Sequence, residues 1–301
     1  MTAERQPQTQ KQCLPEQGAS LAIHQHRSVI TTELGAGPGV VVLRSEPVRV
    51  SSLLHVQAKQ DLRFKRVVVK LSGEALASRE SGVAIDTATL TATASELAQV
   101  REAGIQVTVV VGGGNIFRGM RGAGEGMDRA QSDYMGMLAT VINSLALQDA
   151  LERHKCPTRV MTAMEIRSVA EPYIRRRAIR HLERGYVVIC AAGTGNPYFS
   201  TDTAAALRAM ELHAEALFKA TKVDGIYDRD PIRFPNATLL KHVSYDRFLQ
   251  DRLGVMDSTA VTLCRDNGLP VRVFRMDPGN IERACLGESV GTTISSEGDA
   301  P

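Results

Sequence analysis

The chain has no tryptophan, and aromatic residues fill only 4% of its 301 positions. An apolar fraction of 43%, dominated by Ala, Val and Leu, suits helices packed on a parallel sheet better than a β-sandwich. Cysteine is scarce as well: five residues, at 13, 156, 190, 264 and 285, with no CxxC pair. That odd, scattered set excludes a disulfide or zinc framework and predicts a reducing compartment, the cytoplasm. No apolar run approaches the ~18 residues of a membrane span. The N-terminus lacks the apolar centre of a signal peptide. A dominant charge is missing too: a net charge of +3 implies neither a nucleic acid nor a membrane as partner. The histidines form no HxxxH pair, so no metal-ligand set is predicted. The absence of GxxxxGK[ST] excludes a P-loop NTPase, and the absence of HRD and DFG excludes a protein kinase.

What is present is regular from Phe64 onward. Residues 1–60 are rich in Gln, Thr, Ser and His without periodicity, and predict a disordered extension ahead of a domain over 61–297. Within the extension, Gly35–Gly39 precedes the apolar run Val40–Leu43, the reverse of a phosphate loop, and carries no expected function. Strands are predicted at 66–71, 105–111, 158–162, 186–192, 216–220 and 271–274. Helices are predicted from Asp86 or Thr87 to Gly104, at 130–153, from Ile174 to Gly185, at 203–213, 244–253 and 257–267. This alternation predicts an α/β fold, a three-layer α/β/α sandwich around a mostly parallel sheet with its site at the C-terminal strand ends.

Four strand ends carry polar, glycine-rich sequence. Lys70-Leu71-Ser72-Gly73 places an ammonium beside a glycine turn, which suits charge on a transferring phosphoryl group. Val111 is followed by Gly112, Gly113 and Gly114, then Arg118; backbone N–H groups with a guanidinium make a phosphate site. A Rossmann loop is excluded because GxGxxG from Gly112 would need glycine where Phe117 stands. The third end, Thr194-Gly195-Asn196-Pro197-Tyr198-Phe199-Ser200-Thr201-Asp202, can read a polar ring, although Asp202 could also be a simple helix cap. In the fourth, Tyr227 can stack on a base, and Thr221 and Asp230 can bond a nucleotide. The arginines at 175, 176, 177, 180 and 184 read as a solvated or interface face rather than a nucleic-acid site. Two phosphate-type loops with a lysine, an arginine and an aspartate fit phosphoryl transfer.

These segments, with Asp133-Tyr-Met-Gly-Met-Leu-Ala-Thr140 and Lys219-Ala-Thr-Lys-Val-Asp-Gly-Ile-Tyr227, closely resemble the bacterial uridylate kinases of the amino acid kinase fold family. The match runs in unbroken order over about residues 64–295. The resemblance implies transfer of the γ-phosphoryl group of ATP to UMP with Mg²⁺, in pyrimidine nucleotide biosynthesis. Lys70, Arg118 and Asp202 would be catalytic. Lys70, Leu71, Ser72, Gly73, Gly114, Arg118, Thr221, Tyr227 and Asp230 would hold ATP. Gly113, Asp133 and the Thr194–Thr201 loop would hold UMP. The resemblance also implies a homohexamer, with GTP and UTP as effectors. Gln148 and Glu152 stand where many relatives with a GTP site carry Arg and His, whereas Arg159 is retained; GTP activation that is weaker or differently arranged is expected. A relative with another phosphate acceptor, and a nucleotide-binding storage or sensor protein, are the competing readings. Asp133 and the Thr194–Thr201 loop argue against the first, and the presence of Lys70, Arg118 and Asp202 argues against the second.

Overall fold

The computed structural model describes residues 62–297, except 79–81, 119–123, 125 and 232. The expected disordered extension, with Cys13 and Gly35–Leu43, lies outside the described residues, as do Gly119 and most of the Gly122–Gly126 loop. The described strands are β1 (Arg66–Leu71), β2 (Gln106–Val111), β3 (Thr158–Thr162), β4 (Glu171–Pro172), β5 (Val187–Ala191), β6 (Ala216–Thr221), β7 (Ile226–Tyr227), β8 (Leu239–Leu240), β9 (His242–Ser244), β10 (Val271–Arg275) and β11 (Thr292–Ser295). The helices are α1 (Thr87–Glu102), α2 (Arg129–Arg153), α3 (Arg175–Glu183), α4 (Thr201–Glu211), α5 (Tyr245–Gln250), α6 (Ser258–Asp266) and α7 (Asn280–Cys285). A 3-10 helix over Gly73–Leu76 follows β1.

The sheet order is β4-β3-β5-β2-β1-β6-β10-β11-β9, and all its pairings are parallel except β10 with β11. The central strands are apolar runs because helices cover both faces. Residue parity assigns the faces. Val67, Val69 and Leu71 pack with α1, α2 and α7, whereas Val68 packs with α3, α4, α5 and α6. The helices α1 and α2 start where short polar side chains satisfy free N–H groups: Asp86 accepts from Thr89 N at 2.8 Å, and Asp128 from Gln131 N at 3.0 Å. Gly104 and Gly185 follow α1 and α3 in the left-handed region, at φ 91° and 75°.

The expected strands and helices appear in order, interrupted by the unexpected short strands β4, β7, β8 and β9. Beyond β10 come α7 and the antiparallel β11, which with β9 forms the far edge of the sheet, whereas β7 and β8, which precede β10, form a separate two-stranded sheet. Strands of two to four residues are too short to show a period. Among the described residues, no helix is long and apolar enough to cross a membrane.

Candidate active site

Strand order makes neighbours of the four glycine-rich ends, because β5-β2-β1-β6 are consecutive in the sheet. Parity and register then select the side chains. Lys70 of β1 lies directly across from Lys219 of β6. Lys70 shares parity with Val68, and Lys219 with Leu217, so both ammonium groups face the layer that holds α4. There Asp202, in the first turn of α4, receives both: Lys70 Nζ lies 2.8 Å from Oδ1, and Lys219 Nζ donates to Oδ2. All three side chains are nearly buried, at 11–12% exposure. Burial pushes the Asp202 carboxyl upward, but Lys70 and Lys219 outweigh it and hold the group below the usual carboxylate range. Burial, reinforced by the neighbouring Lys70, depresses the Lys219 ammonium despite Asp202.

Asp202 is therefore not the helix cap. That place belongs to Ser200, whose Oγ accepts from Asp202 N at 3.0 Å and Thr203 N at 3.1 Å, and α4 starts at Thr201 instead of Thr203. Ser200 Oγ also donates to Asp257, which receives Thr203 Oγ1 at 3.0 Å and caps α6 through Ala260 N at 2.8 Å.

The glycine triplet is built by close approach rather than by left-handed backbone: neither Gly73 nor any of Gly112–Gly114 has positive φ. A Cβ on Gly73 would stand 2.6 Å from Gly112 O, and one on Gly113 would stand 2.7 Å from Gly136 O of α2. Only Gly114 has room, with the Arg118 side chain 3.5 Å away. Buried Asn143 of α2 fixes the turn by donating to Gly112 O at 2.7 Å and pairing reciprocally with the Asn115 amide at 2.8 and 3.0 Å. Thr140 Oγ1 accepts from Ala192 N at 2.8 Å, so α2 anchors the ends of both β2 and β5. Arg118 donates to Gly114 O at 3.2 Å and pairs with Glu74.

Asp133 and the Thr194–Thr201 loop, distant in sequence, meet. Asp133 Oδ2 accepts from Tyr198 N at 2.8 Å and from Arg129 Nε at 2.8 Å, and the Arg129 guanidinium lies 5.4 Å from the Tyr198 ring centre. Tyr198 itself is left-handed at φ 73° and Gly195 at φ 84°. Thr194 Oγ1 accepts from Asn196 N at 3.2 Å. At the fourth end, Thr221 Oγ1 accepts from Val223 N at 3.0 Å, and Tyr227 Oη donates to Asp224 at 3.0 Å. Asp230 pairs with Arg233 at 3.4 Å. A cavity of about 830 Å³ opens elsewhere, along Thr162–Tyr173 and Arg177 at the ends of β3 and β4. The buried charges of Lys70, Lys219 and Asp202 lie outside its lining, and a buried lysine pair is costly to form.

Sequence reasoning missed Lys219, Glu74, Arg129, Asn143 and Asp257 as site residues. Lys219 carried a signal, since a lysine inside the apolar run Ala216-Leu-Phe-Lys-Ala220 must find a counter-charge. Asn143 and Arg129 carried none, because only the packing of α2 reveals them. Among the described residues, no group of three or more His, Cys, Asp or Glu could hold a metal ion; His24-Gln25-His26 lies outside them.

Adjoining glycine loops and a carboxylate-held lysine pair at the C-terminal edge of a parallel sheet define a kinase-type phosphotransferase. The chain belongs to the amino acid kinase family, whose family model matches residues 65–275. It is similar to the UMP kinase of Bacillus anthracis, with 40% identity and TM-score 0.75 over 78% of this chain and 97% of that one. It is also similar to the UMP kinase of Ureaplasma parvum, with 35% identity and TM-score 0.72 over 78% of this chain and all (100%) of that one. The uridylate kinase of Archaeoglobus fulgidus is 27% identical, with TM-score 0.59 over 76% of this chain and 99% of that one.

Proposed function

We propose that this protein transfers the γ-phosphoryl group of ATP to UMP, giving ADP and UDP. The observation that carries the reading is Asp202 holding Lys70 and Lys219 where the two glycine loops touch. The acceptor follows from similarity to the UMP kinases of B. anthracis and U. parvum, and from the meeting of Asp133 with the Thr194–Thr201 loop. A UMP phosphate oxygen is already ionised and nucleophilic, so no general base is required. Positioning and charge carry the rate.

Lys70, with Lys219 beside it, stabilises the transferring group, and Asp202 orients both ammoniums. Leu71, Ser72, Gly73 and Gly114 line the ATP phosphates, with Thr221, Tyr227 and Asp230 toward adenosine. Gly113 offers backbone to the UMP phosphate, Asp133 takes the ribose hydroxyls, and Thr194, Gly195, Asn196, Pro197, Tyr198, Phe199, Ser200 and Thr201 surround uracil. Arg118 acts where the two nucleotides meet. Both Asp202 oxygens are engaged by lysines, which suits Mg²⁺ entering as the ATP chelate rather than held in a protein cage. The catalytic domain is taken as 61–297. A homohexamer is supported by Met135, Leu138 and Ile142, an exposed apolar stripe on α2. GTP activates weakly, because Gln148 bonds Glu152 at 3.1 Å and leaves Arg159 to pair with Glu171 at 3.6 Å; UTP is the expected inhibitor. The buried free cysteines 156, 190, 264 and 285 favour the cytoplasm.

Coupled ADP release measured with UMP, CMP, dTMP and carboxylate acceptors, with and without GTP and UTP, tests this. UMP is expected to be the preferred acceptor. Silence with UMP refutes the assignment.

A further inference from the structure

A second carboxylate grips two cations at the same strand ends. Glu74, next to Gly73 on the 3-10 helix after β1, pairs with Arg118 from the β2 loop and lies 3.5 Å from Lys222 just past β6. The arrangement repeats that of Asp202 with its two lysines, but the surroundings differ. Glu74 is 36% exposed and Arg118 58%, against 11–12% for the Asp202 group. A buried ion pair resists opening, whereas an exposed pair is weak and exchanges readily. A multiply charged phosphate offers the same cations more oxygens and more charge than one carboxylate does.

We propose that Glu74 is a built-in place-holder for phosphate. In the ligand-free protein its single carboxylate pairs with both Arg118 and Lys222, offsetting part of their charge and fixing their side chains. Phosphate oxygens of an incoming nucleotide take both cations over and displace Glu74. Glu74 is thus a positioning residue that keeps the cations aligned, and it taxes every anion that enters. This rests on the nucleotide site proposed above and adds a selectivity device to it. The neighbourhood supports it: β2, β1 and β6 are consecutive strands, so the three side chains converge over the junction of the glycine loops.

The test is calorimetric titration of the full-length protein and of Glu74→Gln with ADP and, separately, inorganic tripolyphosphate, both without divalent metal. Removing one unit of negative charge about 4–6 Å from the bound phosphates should tighten both ligands by about 5- to 30-fold. The gain should shrink at high salt. Glu74→Asp, which keeps the charge, should stay within about 2-fold of the parent. Equal or weaker binding by Glu74→Gln overturns the proposal and assigns Glu74 a structural role. Wild-type protein that binds ADP yet makes no UDP from UMP overturns the acceptor assignment alone. Tripolyphosphate reports on Glu74 either way.

Discussion

Replacing Asp202 by asparagine keeps the shape of the side chain and removes the charge that holds two buried ammonium groups. Losing one partner of a buried ion pair costs about 3–5 kcal/mol. The lower end applies here, because an amide oxygen still accepts from one lysine. Against a total stability of about 5–15 kcal/mol, the variant should fold but unfold at clearly lower urea. Its pH dependence should also change. The wild-type carboxyl sits below its ordinary value of 3.8, so its contribution is complete above that pH and is lost as pH falls through the lower native value. Lys219 is displaced the other way relative to its charge: its native pKa lies below 10.5. The native state sheds that proton before the unfolded state does, so stability rises as pH climbs through the native value toward 10.5. Without Asp202, burial and Lys70 act on Lys219 unopposed, and this rise becomes steeper. Urea unfolding at about pH 7 and about pH 9.5 should show a large deficit at the first that narrows at the second. Turnover should fall about 100-fold or more, since Lys70 loses its orientation. A variant as stable as the parent at neutral pH, or with a constant deficit at both, refutes the charge argument.

The glycines give a sharper steric contrast. Gly113→Ala forces a Cβ to 2.7 Å from Gly136 O and 2.9 Å from Ala139 Cβ, both on α2, which cannot shift locally. It should cost about 1–3 kcal/mol in denaturant unfolding. Gly114→Ala meets only the Arg118 side chain at 3.5 Å and should stay within about 0.5 kcal/mol. Asp133→Ala removes the acceptor of Tyr198 N and Arg129 Nε. Initial rates should show the KM for UMP raised about 10- to 100-fold with the KM for ATP little changed; equal losses for both nucleotides would place Asp133 outside the acceptor site.

Much of this was legible in the sequence, for identifiable reasons. The central strands read correctly because burial on both faces leaves an unmistakable apolar run, and the helices because Asp86, Gly104 and Gly185 mark their ends. Asp133 and Tyr198 each looked functional, but their contact needed the fold, since it is the packing of α2 that brings Thr140, Asp133 and Arg129 to the β5 loop. Asp202 was ambiguous between cap and catalytic group. A helix start favours Ser and Asp alike, and only the position of Ser200 two residues ahead decides. Lys219 could have been found by asking which face of β6 it occupies. Glu74, Asn143 and Asp257 could not, because each acts through partners on other elements.

The glycine triplet shows how packing and chemistry are joined in this fold. A phosphate loop is commonly understood to need glycine for its backbone angles or for ligand approach. Here Gly73 and Gly112 are required by each other, since a Cβ on Gly112 would stand 3.0 Å from Gly73 N. Each loop leaves its own strand, β1 on the Lys70 side and β2 on the Arg118 side. Removing both side chains lets the two turns touch, which under the proposed function sets how near the two bound phosphates come. The reciprocal amides of Asn115 and Asn143 then lock that spacing from behind. Under the proposed function, backbone contact would fix the distance between the reacting groups, and the lysines held on Asp202 would supply charge to that gap.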